Sequence, residues 1–299
     1  MNSTPGPGPV EPHEPDTALP APPPLPVARP LTSAAQARAA TWPPTWSTWQ
    51  REIDLLPRRA AALDLLLVLM TALVFHYLPQ VLLLEHLEAD ASRPPPAAVL
   101  IVGKWCEALL AGGLMMYLVL RHGLPARVFG LRGDGLWLQS AWSLAGLAGC
   151  YVGLLATGVV ILLFYLAYPE MKKELAERIE FIKALPQDNT LVMLALLVPV
   201  AAHEEIVFRG LLMPYLRRLT GTWWTALLVS SLIFGALHIP GQGLVGGLQT
   251  TVVGCVLGLV FVVSRSLLAV ALAHLFFNFA QLQIIRLVSQ YSEFAPLGG

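Results

Sequence analysis

The sequence predicts an all-α polytopic membrane protein: a bundle of about seven transmembrane helices behind a disordered, Pro-rich N-terminal tail. Three observations carry that expectation. Hydrophobic residues make up 56% of the 299 and charged residues only 13%, with a mean hydropathy of +0.63, a balance that water-soluble domains rarely show. Seven apolar segments follow one another at about 60–84, 97–120, 137–168, 190–213, 222–239, 244–263 and 267–288, and most approach the ~20 residues a helix needs to cross the hydrocarbon. The start of the chain is different in kind, with 13 of the 25 prolines falling in residues 1–44.

That first stretch interleaves proline with Ala, Gly, Ser and Thr, so it cannot bury enough apolar area to offset its ordering entropy. Residues 1–50 are therefore read as a tail. Trp42, Trp46 and Trp49, then Arg51, Arg58 and Arg59, form the aromatic and basic mixture found where a chain reaches a membrane surface. No cleavable secretion signal is expected, because the first 50 residues hold no apolar run of the required length. Insertion begins with the first span. Residues 51–189 carry the N-terminal spans and 190–288 a second group of four.

Positive charge assigns the sides. Arg58 and Arg59 precede the first span, Arg121, Arg127 and Arg132 lie between the second and third, Arg217 and Arg218 follow the fourth, and Arg265 separates the sixth and seventh. The opposite loops are the acidic 85–96, the mixed 169–189 and the uncharged Pro240–Gly243, which places the N-terminus in the cytoplasm. Segment 137–168 is long enough for one tilted helix, and two short spans there would invert everything downstream. Met171 to Leu185 alternates charges with Leu175, Ile179, Phe181 and Ile182, the pattern of an amphipathic helix lying at the interface. Gly149-x-x-x-Gly153 and Gly254-x-x-x-Gly258 allow close helix packing.

Charge and cysteine usage exclude some functions. Formal net charge is zero, so the basic face that a nucleic-acid partner requires is absent. Cys106, Cys150 and Cys255 are far apart inside apolar runs, which supports neither a C-x-x-C pair nor a disulfide framework.

Ionisable groups within spans cost ~2.5–3.5 kcal/mol each near the middle, so each needs a reason to be there. Asp64 is near enough to the start of the first span to reach the interface. Lys104 and Glu107, three apart on one helix face, read as a mutually neutralising pair. The fourth span runs apolar from Leu191 to Ala202 and then reads His203-Glu204-Glu205-Ile206-Val207-Phe208-Arg209-Gly210. Glu205 and Arg209 are four apart with the acid first, the favourable orientation for an ion pair. Glu204, rotated about 100° away, has no partner in its own helix and is free to act as a general base. Two later spans each add a histidine at helical spacing from a second residue: Phe234 with His238, and His274 with Asn278.

His203–Gly210, Phe234–His238 and His274–Asn278 together resemble, in order and separation, the three motifs of the CPBP or ABI (CAAX protease and bacteriocin-processing) family of intramembrane proteases. The resemblance covers about 190–280. It implies a helical bundle around a buried water-filled polar cavity, with peptide hydrolysis by water activated at Glu204. His238 would hold and polarise that water or pass on its proton, while His274 and Asn278 would donate to the oxyanion. Glu205, Arg209 and Phe234 are then structural support. Glu204, His238 and His274 would also make an acceptable Zn²⁺ ligand set, yet H-E-x-x-H is absent and a liganding Glu204 would leave no separate base. A metal-free glutamate mechanism without a cofactor is the favoured expectation. The implied substrate is a membrane-associated or membrane-spanning protein, and the location a bacterial inner membrane. Two competing readings are a proton- or ion-coupled transporter using Lys104, Glu107, Glu204, Glu205 and His238, against which no inverted repeat is visible, and a catalytically silent scaffold. His203 before the diacid has no assigned role, and the position of His238 one residue before Ile239-Pro240-Gly241 requires a short, tilted or broken helix there.

Overall fold

The structure is a computed structural model and describes residues 46–87, 97–167, 185 and 189–294. Among these residues it contains helices and no strand: α1 (Trp46–Asp54), α2 (Arg58–Leu87), α3 (Ala97–His122), α4 (Leu136–Ala167), α5 (Thr190–Glu205), α6 (Met213–Thr220), α7 (Trp223–Ser264) and α8 (Leu267–Phe294). A short 3₁₀ turn at Ala126–Phe129 precedes α4, and a π-helical turn at Ile206–Leu212 joins α5 to α6. All seven apolar segments lie on helices. Five stretches of described helix are long and apolar enough to cross a membrane, namely Ala97–His122, Leu136–Leu163, Thr190–Thr220, Trp223–Ser264 and Leu267–Leu287. The fifth and sixth predicted segments share α7, and the first occupies α2. Segment 137–168 is one helix as far as it is described, to Ala167. The interfacial helix expected at 171–185 lies outside the described residues except for Leu185, as does the tail up to residue 45, and the boundary drawn at 50 falls inside α1.

α7 is two antiparallel arms, 223–242 and 244–264, divided at Gly243, whose φ of 69° only glycine adopts without strain. The expected break near His238 is thus three residues beyond Pro240, which stays helical. Prolines disrupt the turn before them, but a full reversal needs the left-handed conformation that Gly243 supplies. Small residues bring the arms together. A Cβ on Gly235 would lie 2.5 Å from the Gly247 carbonyl oxygen, and one on Gly254 would lie 3.2 Å from Phe234 and Ser231 side-chain atoms. α4 packs onto the second arm in the same way, with Gly149 and Gly153 facing Val256 and Val252 at 2.9 Å. Both small-xxx-small motifs therefore sit at helix crossings.

The main core joins Met115 and Leu118 of α3, Phe208, Leu211 and Leu212 of the π turn, and Phe234 and Phe261 of α7. Facing outward are apolar side chains such as Leu109, Leu144, Leu155 and Leu163, as expected where lipid is the solvent. One end is roofed by α1. Trp49 stacks on Trp223 with ring centroids 4.2 Å apart, Glu52 pairs with Arg127 at 2.6 Å and Asp54 with Arg217 at 3.6 Å, and Arg218 donates to the Leu56 carbonyl. Beneath it the α7–α8 turn is buried at Ser264, Arg265 and Ser266, and the Leu267 amide donates to the Gly130 carbonyl. Asp64 is buried against His122 and Arg121 at the end of α3, because α2 presents that face to its neighbours.

Candidate active site

α5 is apolar almost to its end, so it enters the bundle as a buried helix and delivers His203, Glu204 and Glu205 as its last residues. The widened turn that follows is a device that often accompanies functional sites. Its altered hydrogen bonding is met in part by Ser230, whose hydroxyl donates to the Phe208 carbonyl at 3.2 Å.

Glu205 is fully buried. Its Oε1 accepts from Arg209 Nη1 at 2.8 Å, the ion pair expected from the spacing, and also from His274 Nδ1 at 2.7 Å. Arg209 donates further to the Gly254 carbonyl at 3.1 Å and lies 4.7 Å from the Phe234 ring centroid, which compensates a guanidinium buried away from water. Phe234 in turn meets Phe208, His238 and His274 edge-on at 4.8, 4.7 and 6.0 Å. Sequence alone gave Glu205 a single partner. The second comes from α8, 69 residues away, and no helical periodicity reports a contact between helices.

Glu204 is placed otherwise. Its carboxylate makes no hydrogen bond among the described residues and is 19% exposed, with Oε1 at 4.0 Å from His238 Nε2 and Oε2 at 3.6 Å from His274 Nε2. Both spacings exceed a hydrogen bond and match the separation that a shared water bridges. His238 Nδ1 lies 2.7 Å from the Phe234 carbonyl oxygen; a carbonyl only accepts, so Nδ1 carries the proton and the neutral ring presents Nε2 as an acceptor. His274 Nδ1 likewise donates to Glu205, so its Nε2 is a donor only when the ring is cationic. Asn278, one turn further along α8, is half-buried and its amide makes no hydrogen bond among the described residues. The three motifs thus converge from α5, α7 and α8.

Zinc is a chemical possibility for such a donor set, since both histidines have Nδ1 committed and Nε2 turned towards Glu204. No group of three or more His, Cys, Asp or Glu among the described residues is arranged to hold a metal ion.

Outside this cluster, Glu107 holds Lys104 Nζ at 2.9 and 3.0 Å, the neutralising pair the sequence predicts. The same carboxylate lies 3.5 Å from His203 Nδ1, a contact not legible in the sequence.

Comparison with known proteins agrees with the motifs. The family model described as type II CAAX prenyl endopeptidase Rce1-like matches residues 186–280, which contain Glu204, His238, His274 and Asn278. A 24.3 kDa uncharacterized protein of Escherichia coli is 31% identical over 165 residues, covering 54% of this chain and 70% of that one. No solved structure matches. The chain is an integral membrane protein and belongs to the Rce1-like, type II CAAX prenyl endopeptidase family, the CAAX protease group that its three motifs resemble.

Proposed function

We propose that this protein is a metal-free intramembrane endopeptidase in which Glu204 activates water against a peptide bond of a membrane-associated protein. The observation that carries the reading is the arrangement around Glu204: a carboxylate without a hydrogen bond of its own among the described residues, faced by two imidazole Nε2 atoms at 3.6 and 4.0 Å.

In this reading Glu204 takes a proton from water as the oxygen attacks the carbonyl carbon, and His238 Nε2 accepts the hydrogen bond of the second water proton. The developing oxyanion meets His274 Nε2–H and the Asn278 amide, preorganised donors that contribute ~3–4 kcal/mol each in a dry site. Glu204 then passes its proton to the amide nitrogen, the C–N bond breaks, and the amine leaves. Glu205 is the shared anchor of Arg209 and His274, and it keeps the His274 ring oriented. No step needs zinc or another cofactor. The basic residues gathered beneath and beside α1, Arg127, Arg217, Arg218 and Arg265, support a cytoplasmic roofed end and a cytoplasmic N-terminus; a bacterial inner membrane suits that topology.

The test is cleavage of a quenched-fluorescent peptide library by the full chain in lipid nanodiscs, alongside Glu204→Gln and zinc analysis of the active preparation. Glu204→Gln is expected to abolish cleavage with insertion and folding unchanged, and chelators are expected to have no effect. Parental cleavage by Glu204→Gln would refute the mechanism; stoichiometric zinc with chelator-sensitive activity would refute its metal-free form.

A further inference from the structure

Three polar groups that this reaction leaves unused lie together where α3 crosses α5. Glu107 is buried in α3, with Lys104 Nζ 3.0 Å from Oε1 and 2.9 Å from Oε2. The Lys104 side chain is 32% exposed. On its other side the Glu107 carboxylate faces His203, whose Nδ1 lies 3.5 Å from Oε2 and whose ring is buried. A buried ion pair is a weak source of stability, since apolar residues of similar volume do as well or better. Within helices long and apolar enough to span a membrane, such a cluster is by default a functional one.

Its position gives it something to do. Glu204 has no hydrogen bond among the described residues, and the π-helical turn begins two residues after it, so its own side chain contributes nothing to its aim. Its chain neighbours do. Glu205 is hydrogen-bonded to Arg209 and to His274 of α8, and His203 faces α3 at Glu107, with Nδ1 3.5 Å from Oε2. The base is thus bracketed from opposite sides of α5: Glu107 and Lys104 of α3 stand on the His203 side, Arg209 and His274 on the Glu205 side, and His238 and His274 face Glu204 itself.

We propose that Glu107, anchored by Lys104, is a positioning residue for the reaction: its carboxylate, 3.5 Å from His203 Nδ1 and so acting by electrostatic attraction rather than through a formed hydrogen bond, draws His203 towards α3 and fixes the face of α5 from which Glu204 addresses the water. This rests on Glu204 being the general base. It assigns a role to α3, which carries none of the three motifs, and to His203.

A double-mutant cycle on the full chain in nanodiscs tests it, read with the library peptide that the parental protein cleaves fastest. Glu107→Gln and His203→Gln are each expected to lower kcat about tenfold, as outer-shell partners do, with KM changed less than about twofold. The double variant should lose no more than either single one, because both remove the same tie. Losses that multiply, or a folded Glu107→Gln at parental kcat, overturn the proposal. NMR of nitrogen-labelled histidine on the unmutated protein covers a Glu107→Gln that does not fold. With the His203 signals identified by their loss in His203→Gln, Nδ1 is expected to carry a proton at neutral pH, and a bare Nδ1 overturns the tie. Glu204→Gln, run in parallel, separates the two readings: if it retains cleavage, the general-base assignment fails whatever Glu107 does, whereas an inactive Glu204→Gln beside an unaffected Glu107→Gln refutes the positioning role alone.

Discussion

Replacing Gly235 by alanine tests whether the close approach of the two α7 arms is what brings His238 to Glu204. The added Cβ would lie 1.8 Å from Thr251 Oγ1 and 2.5 Å from the Gly247 carbonyl oxygen. Thr251 can rotate away at the loss of its own 2.9 Å bond to Gly247. The carbonyl cannot. Restoring ordinary contact at 3.4 Å requires the arms to part by about 0.9 Å, three residues before His238. Alanine gains ~1 kcal/mol of helix propensity over glycine, while overpacking of this kind costs ~1–3 kcal/mol, so the net loss of stability is small, roughly 0–2 kcal/mol. The effect on rate is larger, because displacement of a reacting group by about 1 Å costs on the order of 10²-fold. Thermal unfolding in detergent followed by intrinsic fluorescence, paired with peptide cleavage, should show a modest fall in Tm and a loss of kcat near that size. Gly112→Ala is the control, since nothing lies within 4 Å of its Cβ; it should leave both unchanged or raise Tm. A Gly235→Ala protein with parental kcat would show that the arms' closeness does not set the site.

Asn278→Ala should lower kcat by about 10²–10³-fold with KM nearly unchanged, the signature of a donor used only in the transition state; an equal loss appearing in KM alone would argue for ground-state binding. Arg209→Met leaves Glu205 buried with only His274 beside it and should destabilise the protein by about 3–5 kcal/mol, measurable as a large fall in Tm, with Arg209→Lys intermediate. Trp49→Ala removes the ring stacked on Trp223 and should cost about 3–5 kcal/mol; an unchanged Tm would mean that α1 does not brace the bundle.

Legibility followed the range of the interaction. Pairs within one helix were readable from spacing: Glu205 with Arg209 at 2.8 Å and Lys104 with Glu107 at 2.9 Å both formed. The small-residue motifs likewise mark real crossings of α4 with α7 and of the α7 arms. Contacts between helices left no periodic trace. The bond from His274 to Glu205, the approach of His203 to Glu107, and the docking of α1 through Trp49 each join residues that only tertiary packing brings together. The break in α7 was legible in kind but not in place. Proline is the obvious punctuation, yet the backbone reverses where a glycine can take positive φ, at Gly243.

The roof formed by α1 also dictates an order of assembly. Trp49 leaves the ribosome 174 residues before Trp223, its stacking partner, and at typical elongation rates of ~5–20 residues per second that gap lasts about 10–35 s. Throughout that interval the helix that will close the bundle lacks the ring on which Trp49 stacks. The first described helix to be synthesised therefore completes its packing only after the span that carries its stacking partner has been made.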